Sequence, residues 1–531
     1  MTRIQKVILE VFDEHIEASL SELIKITGIA KTTLNDNLKK LVADKRISKL
    51  GAGRKIYYQR IYTNKVIRKS ITVFNSGEKV GYIKYGEGNH TFEYIDSYKG
   101  TDILSLPRDT VHKSADLFPI FENLLPEYQR REKLIDVKND ESLADGLVKI
   151  KNTHGSFDFI YTTQEFSYKN NYSNRPSWIS VKNKILGENS YPTFLPFHID
   201  IDKDILTSNT NVEHSHLSGN QNKIDITIDY KNKVINEDLK NATHMLKPFN
   251  SEIGNYFNQH KSNDKRKAYY PFISINEHLF MSFAKNELNF NVPYSALVKT
   301  DEEFHYITKR YDRYEDFKYE QFDYAQFLNI KSTDKYKSTS EKLFEAINDT
   351  LYNKEEKMNA LRFYYYSSLL KHADLHTKNI GALNIGRNKK VLAPLYDVIS
   401  VGVYKGNSDD LGLSINSKHK NQRVKLRVSD FYGLADILDI NHDEFKLEAK
   451  KITKIFIEVF PIYIEKTKEL LLHDPLIINS TRVGHDTFIN KLANFYNRRI
   501  IELSKLGTLK YLDMEEFEVK RMPENQIKYD L

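Results

Sequence analysis

Residues 371–380 read Lys-His-Ala-Asp-Leu-His-Thr-Lys-Asn-Ile, and residues 392–400 read Leu-Ala-Pro-Leu-Tyr-Asp-Val-Ile-Ser. Asp374 is followed five residues later by Asn379, and Asp397 stands eighteen further on, behind an apolar run. Phosphoryl transfer of the protein-kinase type uses that order. One Asp orients the attacking hydroxyl, an Asn on the same loop holds Mg²⁺, and a further Asp at a strand end bridges the metal to the β- and γ-phosphates. The Asp-to-Asn offset is that of the His-Arg-Asp catalytic loop. The flanks differ: His376 follows the Asp, and Tyr396-Asp397-Val398 stands in place of Asp-Phe-Gly. The competing reading is a polar loop whose carboxylates fell there by chance, since short motifs recur without function.

The chain around this stretch is 531 residues long, 40% apolar and 28% charged, the composition of a soluble globular protein with two to four domains. No apolar run is long enough to span a bilayer, and the N-terminus lacks a signal-peptide pattern, so no membrane partner is expected. The absence of cysteine excludes disulfides, thiolate metal sites and cysteine nucleophiles, and it fits a cytoplasmic protein. The net charge of +7 is mild, so its distribution matters more than its sum.

Residues 1–60 hold twelve Lys/Arg against seven Asp/Glu, which puts +5 of that charge at the N-terminus. The periodicity predicts helices over 3–15, 22–26 and 31–44, with Ser19 or Ser21 as a cap and Thr27-Gly28 as the tight turn. A hairpin over 47–50 and 55–59 follows, around Gly51-Ala-Gly-Arg54. This reads as a winged helix-turn-helix. Lys31, Thr32, Thr33 and Asn35 would face a major groove, and Arg54 or Lys55 a phosphate. The alternative is a small helical domain used for dimerisation.

Residues 70–135 alternate as short strands and end in Leu117-Phe-Pro-Ile-Phe-Glu-Asn-Leu-Leu-Pro-Glu127. Residues 136–210 read as an insertion or elaborated connection, with Asn152 to Asp158 as a turn. His198, His214 and His216 raise the question of zinc, but no fourth ligand stands at a recognisable spacing.

The turn Ser218-Gly219-Asn220-Gln221-Asn222-Lys223 precedes a predicted strand, 224–229, and can turn backbone N–H groups and Lys223 toward phosphate oxygens; an ordinary hairpin turn is the rival reading. Lys247 ends the apolar strand Thr243-His-Met-Leu-Lys247, where a kinase holds its α/β-phosphate contact, although a surface lysine can lie there too. The helix opening at Asn276 offers Glu277 as the partner of Lys247, with an exposed helical glutamate as the competing reading. A strand over 304–309 then runs into Arg310-Tyr-Asp-Arg313. Residues 316–370 are expected to be helical, 411–415 a short strand, and 428–505 helices interrupted by Pro461 and Pro475. Lys378, four residues after Asp374, is placed to neutralise a transferring phosphoryl group.

Asp374-Leu-His-Thr-Lys-Asn379, Leu392 to Ser400, Ser218 to Lys223, Thr243-His-Met-Leu-Lys-Pro248 and Leu124-Leu-Pro-Glu127 occur in one order, and together they resemble the HipA family of bacterial toxin kinases over about 70–135 and 215–505. The resemblance implies an α+β chain: an N-terminal winged helix-turn-helix at 1–64, a β-rich subdomain at 65–135, an N-lobe with insertion, phosphate loop and hinge at 136–315, and a helical C-lobe at 316–531. It implies a serine/threonine kinase using ATP and Mg²⁺. Asp374, Lys378, Asn379 and Asp397 would be catalytic, with the metal on Asn379 and Asp397. Ser218, Gly219, Asn220, Gln221, Lys223, Lys247, Lys309, Tyr311 and His376 would hold the nucleotide, with 309–313 as the hinge between lobes. Ser218 would be the site of a self-inactivating autophosphorylation. The family's substrates are proteins of translation, notably aminoacyl-tRNA synthetases, and its DNA-binding role usually lies in a separate antitoxin chain. Two other readings stay open: a DNA-binding regulator whose kinase-like body senses nucleotide, and a metal-dependent nuclease. Homodimerisation also stays open.

Overall fold

The computed structural model describes residues 2–14, 18–44, 46–52, 55–60, 69–86, 89–127, 131, 134–135, 142–150, 152–164, 174–188, 190–207, 223–248, 272–300, 303–386, 389–404, 408–416, 425–472, 482–515 and 521–522. The chain is a mixed α+β structure and divides into two units. One comprises 1–74, 79–118 and 159–166; the other comprises 75–78, 119–158 and 167–531. Among the described residues no helix is long and apolar enough to cross a membrane.

In the first unit, helices Arg3–Glu14, Leu20–Thr27 and Lys31–Ala43 precede an antiparallel hairpin, Ile47–Ala52 with Lys55–Arg60. Strand Ala18–Ser19 pairs with the hairpin's second strand, Ala18 opposite Tyr58. Ser19 caps the second helix reciprocally. Its hydroxyl accepts from Glu22 N at 3.3 Å, and its own N–H donates to Glu22 Oε2 at 2.8 Å. Gly28, at φ 66, ends that helix in a conformation that favours glycine. Ile8, Phe12, Leu23, Leu34, Leu38, Leu41 and Ile47 close the core. That core leaves Lys31 and Thr32 exposed and Thr33 and Asn35 half-buried. Arg54 and the side chain of Lys55 lie outside the described residues. Strands His112–Ser114, Asn89–Tyr94, Glu78–Gly86 and Lys69–Asn75 lie side by side in a second sheet.

The second unit opens on a seven-stranded sheet. From edge to edge its strands are His198–Asp200, Val234–Glu237, Ile224–Asp229, His244–Lys247, Glu303–Lys309, Ser295–Thr300 and Phe194–Leu195. Helix Ile273–Asn286 packs on it and is buried from Ser274 to Ala284. The region 136–210, read as an insertion or connection, therefore supplies both edge strands of this sheet, each pairing in parallel with its neighbour. Strands of two and three residues are too short to show alternation, which is why the sequence hides them.

Further on, the long helices are Ser340–Thr350, Lys354–Leu369, His442–Leu472 and Arg482–Lys505, with a small three-stranded sheet of Gln321–Asp323, Gly381–Asn384 and Lys390–Leu392. Three expectations are corrected here. The stretch 316–370, expected to be helical, first runs through the short strands Phe317–Lys318 and Gln321–Asp323, too short to show in the pattern. Pro461 does not interrupt its helix but lies inside His442–Leu472. A proline leaves the carbonyl four residues earlier without its N–H donor. Here the Tyr496 hydroxyl donates to Ile457 O at 2.7 Å and replaces that bond. Residues 411–415 form no strand; Leu411 and Ser414 make isolated bridges to His372 and Thr339. Pro475 lies outside the described residues.

Candidate active site

Four charged side chains from distant parts of the chain meet at one buried point. Lys247 ends its strand with its side chain almost wholly buried, and its ammonium donates to Glu277 Oε1 at 2.5 Å and to Asp397 Oδ1. Lys223, just ahead of strand Ile224–Asp229, reaches the other oxygen of Asp397 at 3.3 Å. Glu277 is delivered by helix Ile273–Asn286, and the preceding residue fixes that helix to the Asp397 segment. The Asn276 side chain accepts from Ser400 N at 2.9 Å and donates to Ser400 O at 3.1 Å.

The electrostatics follow from burial. Burial alone would raise the Asp397 carboxyl, but Lys223 and Lys247 outweigh it and hold it well below the carboxylate range. Burial likewise works against charge on Lys247, and Asp397 and Glu277 outweigh it in turn, so Lys247 is raised. For Glu277 burial prevails over Lys247, and its carboxyl is raised. Asp397 is thus the anion on which Lys247 chiefly rests. Its backbone has φ 55, a left-handed conformation that Asp tolerates better than most residues and that recurs at functional sites.

The loop carrying Asp374 follows helix Lys354–Leu369 directly and is tied to itself. Asn379 N donates to His376 O at 2.9 Å, and Asn379 Nδ2 donates to Asp374 O at 3.3 Å. With the amide nitrogen so engaged, Asn379 has its oxygen left as the ligand atom. An ionised carboxylate and an amide oxygen are a donor set suited to Mg²⁺. Gly412 backs the loop: a Cβ there would overlap the carbonyl oxygen of Leu375. Burial raises the Asp374 carboxyl, against a hydrogen bond from Tyr336 and the charge of Lys335. A raised carboxyl is a better proton acceptor.

Sequence reasoning missed a second charged cluster. Glu127, the last residue of the Leu-Leu-Pro-Glu turn, accepts from Lys335 Nζ at 2.6 Å and lies 3.2 Å from Lys378 Nζ. Lys378, expected to neutralise a transferring phosphoryl group, donates to Asn123 O at 3.1 Å and is held by Glu127. His376, expected to hold the nucleotide, is buried. Its Nδ1 accepts from Lys378 N at 3.2 Å and its ring meets Tyr336 edge-on at 4.8 Å. Burial lowers this imidazole well below its ordinary value, so it is neutral.

The expected hinge is built differently from a free backbone segment. The Lys309 ammonium donates to Lys184 O at 2.7 Å, and the Tyr311 carbonyl accepts from Trp178 Nε1 at 3.1 Å. The Tyr311 ring stacks on Tyr396 with centroids 6.0 Å apart. Arg310 and Arg313 share Asp312 and bind Thr153 O, at 2.8 and 2.5 Å. The stretch 152–158, read only as a turn, thus anchors the hinge. Ser218, Gly219, Asn220 and Gln221 lie outside the described residues, as do His214 and His216; His198 is exposed on an edge strand. Among the described residues no group of three His, Asp or Glu is arranged to hold a metal by itself.

Residues 215–461 match the HipA-like C-terminal domain. A putative kinase of Haemophilus influenzae is 30% identical over 149 residues, which is 25% of this chain and 43% of that relative. A chain from the Shewanella oneidensis MR-1 complex of HipA, HipB and operator DNA superposes with a TM-score of 0.53 at 14% identity, covering 84% of this chain and 100% of that one. At that identity the likeness is one of fold alone. The Helicobacter pylori kinase CtkA gives a TM-score of 0.32 at 15% identity over 55% of this chain and 96% of its own. The HipA-like segment contains Lys247, Glu277, Asp374, Asn379 and Asp397, so all the residues of the first cluster lie inside it.

Proposed function

We propose that this chain is an ATP-dependent serine/threonine protein kinase of the HipA type, acting in the cytoplasm on a protein of translation and carrying a DNA-binding domain in cis. The buried contact of Lys247 with both Glu277 and Asp397, beside the Asp374–Asn379 loop, carries the reading. In a kinase the lysine of this pair holds the α- and β-phosphates and the glutamate positions the lysine. Asp374 orients the acceptor hydroxyl and takes its proton. Lys223, with the backbone of 218–222, faces the phosphates. Asn379 and Asp397 would hold Mg²⁺, which when bound neutralises charge on the β- and γ-phosphates. Lys247 and Lys223 occupy Asp397 now, so Asp397 would be open to a metal only where nucleotide phosphates drew those two ammonium groups away.

Three helices followed by a hairpin, with a local charge of +5 over residues 1–60, support a winged-helix reading of the N-terminus. Lys31, Thr32, Thr33 and Asn35 would read bases, while Arg54 and Lys55 would meet phosphate. Changes at the first four should alter sequence preference. Arg54→Ala or Lys55→Ala should weaken all duplexes evenly and flatten the salt slope by about one unit per lost contact. Ser218 is proposed as the self-inactivating phosphorylation site, because about −1.5 to −2 charges added beside a triphosphate would repel it.

The test incubates the full chain with Mg²⁺, labelled ATP and cell lysate. Labelled protein should appear with the wild type and fall about 10²–10⁴-fold with Asp374→Asn. Equal labelling by both would overturn the kinase assignment. Nucleotide binding without transfer would favour the sensing regulator, and cleavage of added plasmid would favour the nuclease.

A further inference from the structure

Tyr336 holds its hydroxyl on the carboxylate of Asp374 while its ring is 42% exposed. On the kinase reading, that is the place of an acceptor hydroxyl: within hydrogen-bond reach of the residue that will take its proton. We propose that Tyr336 is a phosphoacceptor in cis, modified by the γ-phosphoryl group of a nucleoside triphosphate bound in the same chain. The inference rests on the kinase reading and adds to it a site on a segment that no sequence motif singled out.

The position of the phenol is built. Ser332, four residues earlier, donates to Glu122 from its N–H at 2.9 Å and from its hydroxyl at 2.8 Å. Asn123 Nδ2 donates to Ile330 O at 2.8 Å. Lys335, the immediate neighbour, is held by Glu127 through its ammonium. Its carbonyl accepts from both the N–H and the hydroxyl of Thr377, at 3.4 and 3.1 Å, inside the Asp374 loop. The acceptor segment is therefore fastened to the base loop at the residue just before the phenol, and to the Glu122–Glu127 segment from Ile330 to Lys335. The edge-on contact with His376 fixes the ring, and this neutral imidazole adds no charge of its own.

The step balances with one nucleophile and one leaving group. The Tyr336 oxygen attacks the γ-phosphorus, and the bond from that phosphorus to the β,γ-bridging oxygen breaks. The nucleoside diphosphate leaves, and the phenolic proton passes to Asp374, which later releases it to water. The product phosphate has a cationic neighbour: Lys335 Nζ lies 5.6 Å from the Tyr336 ring centroid. A phosphate is better accommodated there than beside the carboxylate of Asp374 alone.

The experiment uses the full chain with Mg²⁺ and ATP, in wild-type, Asp374→Asn and Tyr336→Phe forms. Site occupancy is read by peptide mass spectrometry, and ADP release is followed alongside. We expect phosphate on Tyr336 in the wild type, at a rate unchanged when the protein is diluted a hundredfold (about the range that separates first- from second-order behaviour). Occupancy should fall at least about tenfold in Asp374→Asn. Phosphate on other residues with Tyr336 bare would overturn the inference and leave the kinase reading standing. A bare Tyr336 with faster ADP release from Tyr336→Phe would make the phenol a plug that keeps water off Asp374. A rate that falls with dilution would make the transfer one between copies. No ADP and no labelled protein of any kind would sink the kinase reading and this inference together. Should Tyr336→Phe fail to fold, the wild type and Asp374→Asn still decide.

Discussion

Two buried charge clusters flank the residues proposed for transfer, and they differ in balance. In the first, Lys223 and Lys247 face Glu277 and Asp397, two charges of each sign. In the second, Lys335 and Lys378 both pair with Glu127, while the buried Asp323 carboxylate acts on Lys378 and Asp374 acts on Lys335 from further off. A buried set in which every ion is directly paired is self-contained, because each ion offsets the desolvation of another. The first cluster therefore has to be opened before phosphates or metal can enter, whereas in the second two ammonium groups divide one direct ion-pair partner between them.

The largest effects should come from the first cluster. Lys247→Met should abolish detectable transfer and also destabilise the fold, because it leaves Glu277 and Asp397 facing each other with only Lys223 between them. Breaking a buried pair on one side typically costs about 3–5 kcal/mol. Lys335→Met should cost much less, about 1 kcal/mol, since Lys378 and Glu127 then form a balanced pair. Urea unfolding of the two variants against the wild type measures both. Equal losses would break the contrast and mean that the more distant carboxylates of Asp323 and Asp374 matter to the second cluster as much as Glu127 does.

The first cluster was legible in the sequence because each member sits in its own short motif. Lys223 precedes a strand, Lys247 ends one, Glu277 lies near the start of a helix, and Asp397 follows an apolar run. Even the Lys247–Glu277 partnership could be named in advance, although an exposed helical glutamate was the rival reading. The second cluster was not legible. Glu127 stands 251 residues before Lys378, and the Leu-Leu-Pro-Glu turn announces only a change of direction. Tyr336 is one of 34 tyrosines and has no distinguishing neighbour pattern. Its role depends on a contact with Asp374 that only folding creates. The same holds for Pro461. Local propensity breaks a helix at that residue, and the structure keeps it intact by a hydroxyl from 35 positions away. Residues 309–313, expected as a hinge, show another kind of limit: their contacts with Asn152 to Gly155 were not legible, because buried arginines bind backbone carbonyls that no side-chain pattern reveals.

The smallest effect compares two glutamates, one in each cluster, whose acidities move in opposite directions. Burial would raise Glu127, but Lys378 and Lys335 outweigh it, and its carboxyl is lowered. In Glu277 burial prevails, and the carboxyl is raised. An acid lowered by folding contributes stability above its unfolded value, about 4.3, and loses that contribution as pH falls toward the folded value. An acid raised by folding behaves in reverse: its contribution is complete below the unfolded value and is lost as pH rises through the folded one. At neutral pH Glu127→Gln should cost about 1–3 kcal/mol, since it leaves two buried ammonium groups without their anion. That cost should shrink on acidification below about pH 5, because protonated Glu127 is nearly the glutamine it is compared with. The cost of Glu277→Gln should change with the opposite slope over the window above 4.3. Urea unfolding of both variants between about pH 2 and 7 reads the two slopes. If both slopes have the sign expected for Glu127, then Lys247 dominates burial at Glu277, and the two clusters hold their carboxylates alike.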